Sequence, residues 1–436
     1  MNDDFELLRG AIPGPESRSA IERLRARESR NVTYVSDEFP IVWESADGAH
    51  VFDVDGNRYI DLTSAFGVAS VGHSNPRVAD AIAQQAATLM HGMGDVHPTL
   101  LRAKLLERLS QILPTGLSKT FLATTGSEAV EAALKTAIVA TGKRGFAAYH
   151  GAYHGLSLGA LAVCGIDKFR TPFLDAGGVH TLFLDYPRAG IDSARDALAQ
   201  ARDALRSRDD LAALIVEPIQ GRAGCVLPPD GYLRGLRALC DELGVLLIFD
   251  EIYTGFGRTG VWFAAQHDNV IPDIICLGKA MGGGFPISAA VARADVMDAW
   301  PVSTGEALHT STYLGNPMGC AAALATIDEL ERGDLPQRAA HIGTELAQRL
   351  EQLRSHTAVR DVRGRGLLWG IELCDGAYAA RVVTHALQHG VVLLQSGASG
   401  NVLSVAPPLV IPRPMLMRAV DLLEDAIRDA ARTGPL

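Results

Sequence analysis

Lysine is nearly absent from this chain. Among 40 basic Lys and Arg residues only six are lysine: Lys104, Lys119, Lys135, Lys143, Lys168 and Lys279. Arginine serves wherever a generic positive charge suffices, so each lysine deserves a chemical explanation, above all Lys279, the only one after position 168. A guanidinium stays protonated and cannot act as an amine nucleophile, so arginine cannot stand in for lysine there. Cysteine is also sparse. Six residues (Cys164, Cys225, Cys240, Cys276, Cys320, Cys374) form no C-x-x-C pair and no metal-ligand spacing, which excludes a cysteine-based metal centre and reads as reduced, mostly buried thiols. No apolar run approaches the ~20 residues of a membrane span. The opening MNDDFELLRG carries three acids and no apolar core, which argues against a secretory signal and for a cytoplasmic protein. A net charge of −10 excludes a generally basic face for nucleic acid or membrane surfaces.

What is present is an alternation of short apolar runs and helical periods. Strands are expected at 120–124, 145–149, 211–217, 245–250, 273–278 and 287–292, with helices between them at about 127–141, 193–208 and 231–243. This pattern predicts an α/β fold whose mostly parallel sheet is covered by helices. Beyond Pro317 the character changes to long amphipathic helices at about 317–332 and 336–355. The apolar segments LLWGIEL, VVLLQ and VLSVA and a final helix at about 413–431 follow. At 436 residues, two lobes are expected: residues 1–70 and 331–436 forming a smaller α+β lobe from both chain ends, around a large domain at 71–330.

Chemistry concentrates in VLLIFDEIYTGFGRTG and DIICLGKAMGGGFP. One apolar strand delivers Asp250 and Glu251 at its carboxyl end, and a second delivers Lys279 before a glycine turn. A carboxylate beside a lone lysine suits a cofactor with a pyridine nitrogen and an aldehyde: the acid keeps the nitrogen protonated, and the amine forms the imine and shuttles a proton. Gly255 to Gly260 fits G-x-G-x-x-G, but no helical period follows it, so a dinucleotide site is not expected. In TTGSEAVEAALKTA, Gly126 and Ser127 precede a helix and could cradle a phosphate, although Ser127 also reads as an ordinary N-cap. YHGAYHG places Tyr153 and His154 beyond a strand end, where a flat ring needs a stacking partner or where a histidine simply packs in the core.

In this order the segments resemble the class III (ω-) aminotransferases of the fold-type-I pyridoxal-phosphate enzymes, from about residue 55 to 411. The resemblance implies pyridoxal 5′-phosphate as cofactor, with Lys279 its Schiff-base lysine and Asp250 the partner of the ring nitrogen. It implies that Gly126 and Ser127 hold the phosphate, Tyr153 stacks on the ring with His154 beside it, and Ile252 packs behind. Gln220 would lie near the phenolic oxygen, with Glu217 supporting the site. Thr312, in HTSTYLGNP, would reach the phosphate of a neighbouring subunit, implying a homodimer with shared sites.

Three positions depart from members that use glutamate and 2-oxoglutarate. Leu156 stands where those carry a carboxylate-binding arginine, Arg222 where they carry a gating glutamate, and Ser404 where they carry a second arginine. Neither leucine nor serine supplies a bidentate guanidinium. The resemblance therefore implies transfer of an amino group between an amine donor and a carbonyl acceptor, without the usual dicarboxylate clamp. A racemase or epimerase of the same family, and a non-catalytic binding protein on this scaffold, are the competing readings.

Overall fold

The computed structural model describes residues 5–173 and 181–432. Seven strands build its central sheet: β1 (Leu117–Ala123), β2 (Gly145–Tyr149), β3 (Thr181–Leu184), β4 (Leu211–Val216), β5 (Leu246–Asp250), β6 (Ile274–Leu277) and β7 (Ser288–Arg293). Their order across the sheet is β1-β7-β6-β5-β4-β2-β3. Every pair is parallel except the two made by β7, which runs against both β1 and β6. Strands β2, β4 and β6 are buried at every residue, as sequences such as GFAAY, LAALIV and IICL require when helices cover both faces.

The parallel strands, and β1 with them, end at one edge of the sheet, so the loops carrying Gly126, His154, Glu217, Asp250 and Lys279 share that edge. Five of the six expected central strands lie within a residue of their expected ends, and the sixth, expected at 120–124, runs from Leu117 to Ala123. Strand β3 was not expected. It is a four-residue edge strand, mostly half-buried, with too little apolar run to stand out.

Two further four-stranded sheets flank this unit. In one, Trp43–Asp47, His50–Asp53 and Arg58–Asp61 form an antiparallel meander, and Val391–Val392 pairs parallel to its last strand. In the other, Val359–Arg365, Leu368–Leu373, Val402–Val405 and Leu394–Ser396 are all antiparallel. The expected single run VVLLQ is therefore split: its first two residues join one sheet, and Leu394 onward joins the other. The helix expected to reach 355 ends at Glu351 and continues as a short 3₁₀ turn, Gln352–Ser355. The final helix, Arg413–Arg432, packs its apolar face against Gly376–Gln388. Chain ends thus share sheets and contacts, with Arg418 paired to Glu6.

The G-x-G-x-x-G segment opens no dinucleotide-binding helix. Gly257 and Gly260 have φ of +88° and +97° and lie against Pro336 and Ala340 of the helix Leu335–Glu351, where a Cβ would crowd both contacts. Between them Arg258 is 1% exposed. It donates to the carbonyls of Leu367 (3.1 Å) and Pro407 (2.5 Å) and to the hydroxyls of Ser64 and Ser70.

Candidate active site

Asp250 ends β5 with its carboxylate buried. Oδ2 lies 2.7 Å from His154 Nδ1, and Oδ1 accepts the Ile252 N–H at 3.0 Å. The neighbouring Glu251 points the opposite way. It accepts from the N–H groups of Ala264 and Ala265 and from the Thr254 hydroxyl, fixing the loop beyond the strand, so it is no part of the site. His154 is itself 2% exposed, and its Nε2 has no partner among the described residues. A buried ring nitrogen left open is uncommon and calls for a cause, a catalytic role among them.

Lys279 follows Gly278 beyond β6 and opens a one-turn 3₁₀ helix, Lys279–Gly282. Its φ of +42° is left-handed, which for a residue with a Cβ costs on the order of 1–2 kcal/mol and is tolerated where function demands a side-chain direction. That direction brings Nζ to 4.6 Å from the centroid of the Tyr253 ring. Burial lowers the lysine pKa, against the opposing pull of Asp250 and Glu217. A larger fraction of neutral amine at physiological pH follows, which is the form that acts as nucleophile and base.

Gly126 begins helix α1 (Gly126–Thr141). The N-cap is Thr125, not Ser127: Thr125 Oγ1 accepts the Glu128 N–H, and Glu128 reaches back to the Thr124 and Thr125 N–H groups. This capping box leaves the Gly126 and Ser127 N–H groups with no acceptor among the described residues, at the positive end of the helix dipole. The Ser127 hydroxyl instead accepts the Leu156 N–H at 3.2 Å. Ile252 sits between the two glycine turns, within van der Waals reach of a Cβ at either Gly126 or Gly278.

Glu217, just beyond β4, joins two loops. Its Oε1 accepts the Tyr153 N–H (2.9 Å) and its Oε2 the Gly221 N–H (3.1 Å). Burial raises its pKa to about 7, opposed by His154 and reinforced by Asp250. Tyr153 stands edge-on to Phe169, 5.8 Å between centroids. Gln220 turns its amide to the His150 carbonyl, 3.0 Å away, and so faces the 150–151 loop. Arg222 and Leu156 are exposed at the rim, and Ser404 is half-buried with its hydroxyl 2.7 Å from that of Ser396. Thr312 lies on the exposed surface.

Two contributors escaped the sequence reading. Tyr253 lies under the lysine, and its ring packs against Gly67 and Gly221, where side chains could not fit. The run Ser64–Gly67 that brings Gly67 there has four consecutive left-handed residues, φ +48°, +48°, +63° and +81°. Tyr253 was within view in DEIYTG, but only the folded loop turns it beneath Lys279.

A buried acid–imidazole pair, a desolvated lysine and a helix start with free N–H groups thus share one sheet edge. The profile described as Aminotransferase class-III matches residues 32–427. The chain belongs to the class III aminotransferases, pyridoxal-phosphate enzymes of fold type I, and is a transaminase. It is 39% identical over 400 residues to the acetylornithine aminotransferase of Methanosarcina mazei, covering 92% of this chain and 95% of that one. The putrescine aminotransferase of Pectobacterium atrosepticum is 38% identical, over 93% of this chain and 86% of its own. Among solved structures, the ornithine aminotransferase of Toxoplasma gondii superposes with a TM-score of 0.86 at 30% identity, covering 96% of both chains.

Proposed function

We propose that this chain holds pyridoxal 5′-phosphate on Lys279 and moves an amino group from a primary-amine donor to a carbonyl acceptor that is not a dicarboxylate. The observation that carries this reading is the desolvated Lys279 amine at the same sheet edge as the Asp250–His154 pair. The residues fit the cofactor. The unpartnered N–H groups of Gly126 and Ser127 suit its phosphate, Asp250 its ring nitrogen, Tyr153 and Ile252 its two faces, and Lys279 its aldehyde. Gln220, near the phenolic oxygen, would need its amide turned from His150. When bound, the cofactor supplies an electron sink for the carbon bearing the amine.

The chain's own residues do the rest. Asp250 holds a proton at the ring nitrogen, and His154 fixes that carboxylate through Nδ1. Lys279, its charge disfavoured by burial, would take a proton from the substrate carbon and return it to the cofactor's aldehyde-derived carbon, on the other side of the shared nitrogen. Glu217 keeps Tyr153 and the 221–222 turn at their spacing. Leu156 and Ser404 leave the substrate rim without the two arginines that would grip a dicarboxylate. The named substrates of the relatives, acetylornithine, putrescine and ornithine, support a donor with a primary amine at a chain end.

The active form in this reading is a homodimer in which Thr312 reaches the cofactor phosphate of the partner subunit. Support comes from exposed apolar residues in the segments 90–100 and 302–313, Met90, Met93, Leu100, Val302, Leu308 and Tyr313, the two segments meeting at the His91–Tyr313 ring contact. The two flanking sheets are read as one smaller lobe, residues 1–70 and 331–436, around a large domain at 71–330. The first and last four residues of that division lie outside the described residues. No described helix is long and apolar enough to cross a membrane, and six free thiols, five of them buried, are in keeping with a cytoplasmic setting.

The test is a half-reaction. Purified protein loaded with pyridoxal 5′-phosphate is mixed with a panel of amines, and the visible absorbance of the bound cofactor is followed. Loss of that band with formation of pyridoxamine 5′-phosphate, reversed by a carbonyl acceptor and abolished in Lys279→Ala, is the expected result. Exchange of the substrate α-hydrogen with an unchanged band would point to a racemase and overturn it.

A further inference from the structure

When Lys279 is protonated, no carboxylate meets its charge. Among the described residues its Nζ makes no hydrogen bond and no ion pair, and the contact it has is the Tyr253 ring, whose centroid lies 4.6 Å away. Two carboxylates act on the amine from a distance, Asp250 and Glu217. Both are engaged elsewhere: Asp250 with His154 and the Ile252 N–H, Glu217 with the Tyr153 and Gly221 N–H groups. A cation within about 6 Å of an aromatic centroid is attracted by the negative face of the ring, more strongly where water is excluded.

Separate loops hold that ring. A Cβ on Gly67 would stand 2.5 Å from its Cε2, and one on Gly221 would stand 2.3 Å from its Cδ1. Glycines therefore press on both long edges and fix the direction of the faces. The left-handed run Ser64–Gly67 brings the first of these glycines into place, 3.8 Å from Lys279 Cδ measured from the same Cβ position. The ring also packs against the buried cluster of Ile219, Cys225, Leu368 and Ala406. Its hydroxyl, by contrast, makes no hydrogen bond among the described residues. Burial holds the phenol above its ordinary range, with Cys225 and Asp61 acting the same way and Arg258 and Arg222 opposing. The ring is thus uncharged at neutral pH and offers an aromatic face.

We propose that the Tyr253 ring is the seat of the protonated Lys279, holding the ammonium between the moment it takes a proton from the substrate and the moment it returns it. The substrate C–H bond breaks, an N–H bond forms on Nζ, and the electron pair stays with the carbon and the cofactor conjugated to it. A charge then exists on the lysine that did not exist before, and the ring stabilises it where the proton must be delivered. Tyr253 is in this sense a positioning residue, acting through Lys279. The proposal rests on the transaminase reading above and deepens it.

The scarcity of lysine makes the charge directly measurable. Lysine enriched in carbon-13 at Cε gives six NMR signals, and that of Lys279 is the one missing from Lys279→Ala. The full-length protein is loaded with pyridoxamine 5′-phosphate, which leaves the Lys279 amine free, and its signal is followed from neutral to alkaline pH. Asp250, Glu217 and His154 are common to all the proteins compared, which differ at position 253 alone. Tyr253→Phe keeps the ring and is expected to hold the Lys279 midpoint within about 0.3 pH unit of wild type. Tyr253→Leu is expected to lower it by about half to one pH unit. A packing role alone predicts the opposite sign, because the space left by the ring admits water, and water favours the charged amine.

Fluorinated phenylalanines at position 253 keep the shape of the ring while draining its face. The midpoint should fall step by step as one, two and three fluorines are added. In the half-reaction at saturating donor, Tyr253→Leu should lose several-fold in rate with donor affinity unchanged, and Tyr253→Phe should not. A midpoint unchanged or raised in Tyr253→Leu, a flat fluorine series, or an unchanged rate in Tyr253→Leu would each overturn the proposal. So would a shift in Tyr253→Phe as large as in Tyr253→Leu, which would assign the work to the hydroxyl. If the wild type takes up no pyridoxamine 5′-phosphate, the transaminase reading fails. The same titration of the protein alone then still decides whether the ring holds the ammonium.

Discussion

Glu217 shows how much a single side chain arranges. One buried carboxylate accepts the Tyr153 and Gly221 N–H groups at 2.9 and 3.1 Å, so the loop carrying Tyr153 and the turn carrying Arg222 share one fixed point. Gln in its place offers one acceptor oxygen and one amide that faces a second donor, leaving one backbone N–H unpaired at about 1–3 kcal/mol. Glu217→Gln is therefore expected to lower the unfolding midpoint and to weaken cofactor retention, measured by thermal melts and dialysis. Its pH behaviour carries a sign. Burial raises the carboxyl to about 7 from an ordinary 4.5. A raised folded-state pKa contributes stability that is complete below the unfolded value and is lost as pH rises through about 7. Melts between pH 5 and 8 should fall with pH more steeply in the wild type than in Glu217→Gln, and equal slopes would refute this. At this scale the sequence was informative wherever chemistry admits no substitute. Lys279 stood out because a guanidinium cannot replace an amine nucleophile, and Asp250 because an apolar strand delivers it to the same sheet edge. Tyr253 did not, because a phenol acquires a role only from the loop that aims it.

The run Ser64–Gly67 is the element least expected from its residues. Ala prefers a right-handed helix, yet Ala65 has φ +48° and ψ +61°. Tertiary bonds override the preference. Asp61 accepts the Thr63 N–H and hydroxyl, Thr63 accepts the Ala65 N–H, Ser64 donates to the Ala406 carbonyl, and Arg258 donates to Ser64. The result seats Gly67 against Tyr253, 2.5 Å from where its Cβ would be, and beside the Lys279 side chain. Left-handed geometry costs a non-glycine residue roughly 1–2 kcal/mol, of which glycine returns part through its freer unfolded state. Ala65→Gly is expected to stabilise the protein by about 0.5–1 kcal/mol. The readout is the denaturant midpoint at unchanged slope, and a loss of stability would show that Ala65 is not strained. The central strands, by contrast, were readable because burial on both faces writes an uninterrupted apolar run, as in LAALIV. The meander at 43–61 was not, since its strands are four or five residues long and partly exposed.

Across the whole molecule, Arg258 is the point where distant segments meet. Its guanidinium is buried and has no carboxylate against it among the described hydrogen bonds, and burial lowers its pKa to about 10, still leaving it charged at neutral pH. Four acceptors stabilise that charge: two carbonyls from the C-terminal part of the chain, Leu367 and Pro407, and two hydroxyls from the N-terminal part, Ser64 and Ser70. The segment around it fits G-x-G-x-x-G in sequence without the helix a dinucleotide site needs, and its work is to join N-terminal and C-terminal segments to the loop beyond the central sheet. Replacing a buried ion together with all its partners by apolar residues can be neutral or better. Arg258→Met does not do that, because the two carbonyls remain buried without a donor, at about 1–3 kcal/mol each. A loss of roughly 3–5 kcal/mol in unfolding free energy is therefore expected from urea melts. Because Ser64 opens the run that seats Gly67 beside Lys279, the same variant should hold the cofactor less tightly. A variant as stable as the wild type would mean that the ends of the chain are fastened elsewhere. Loss of stability with cofactor affinity intact would separate the junction from the site it is argued to support.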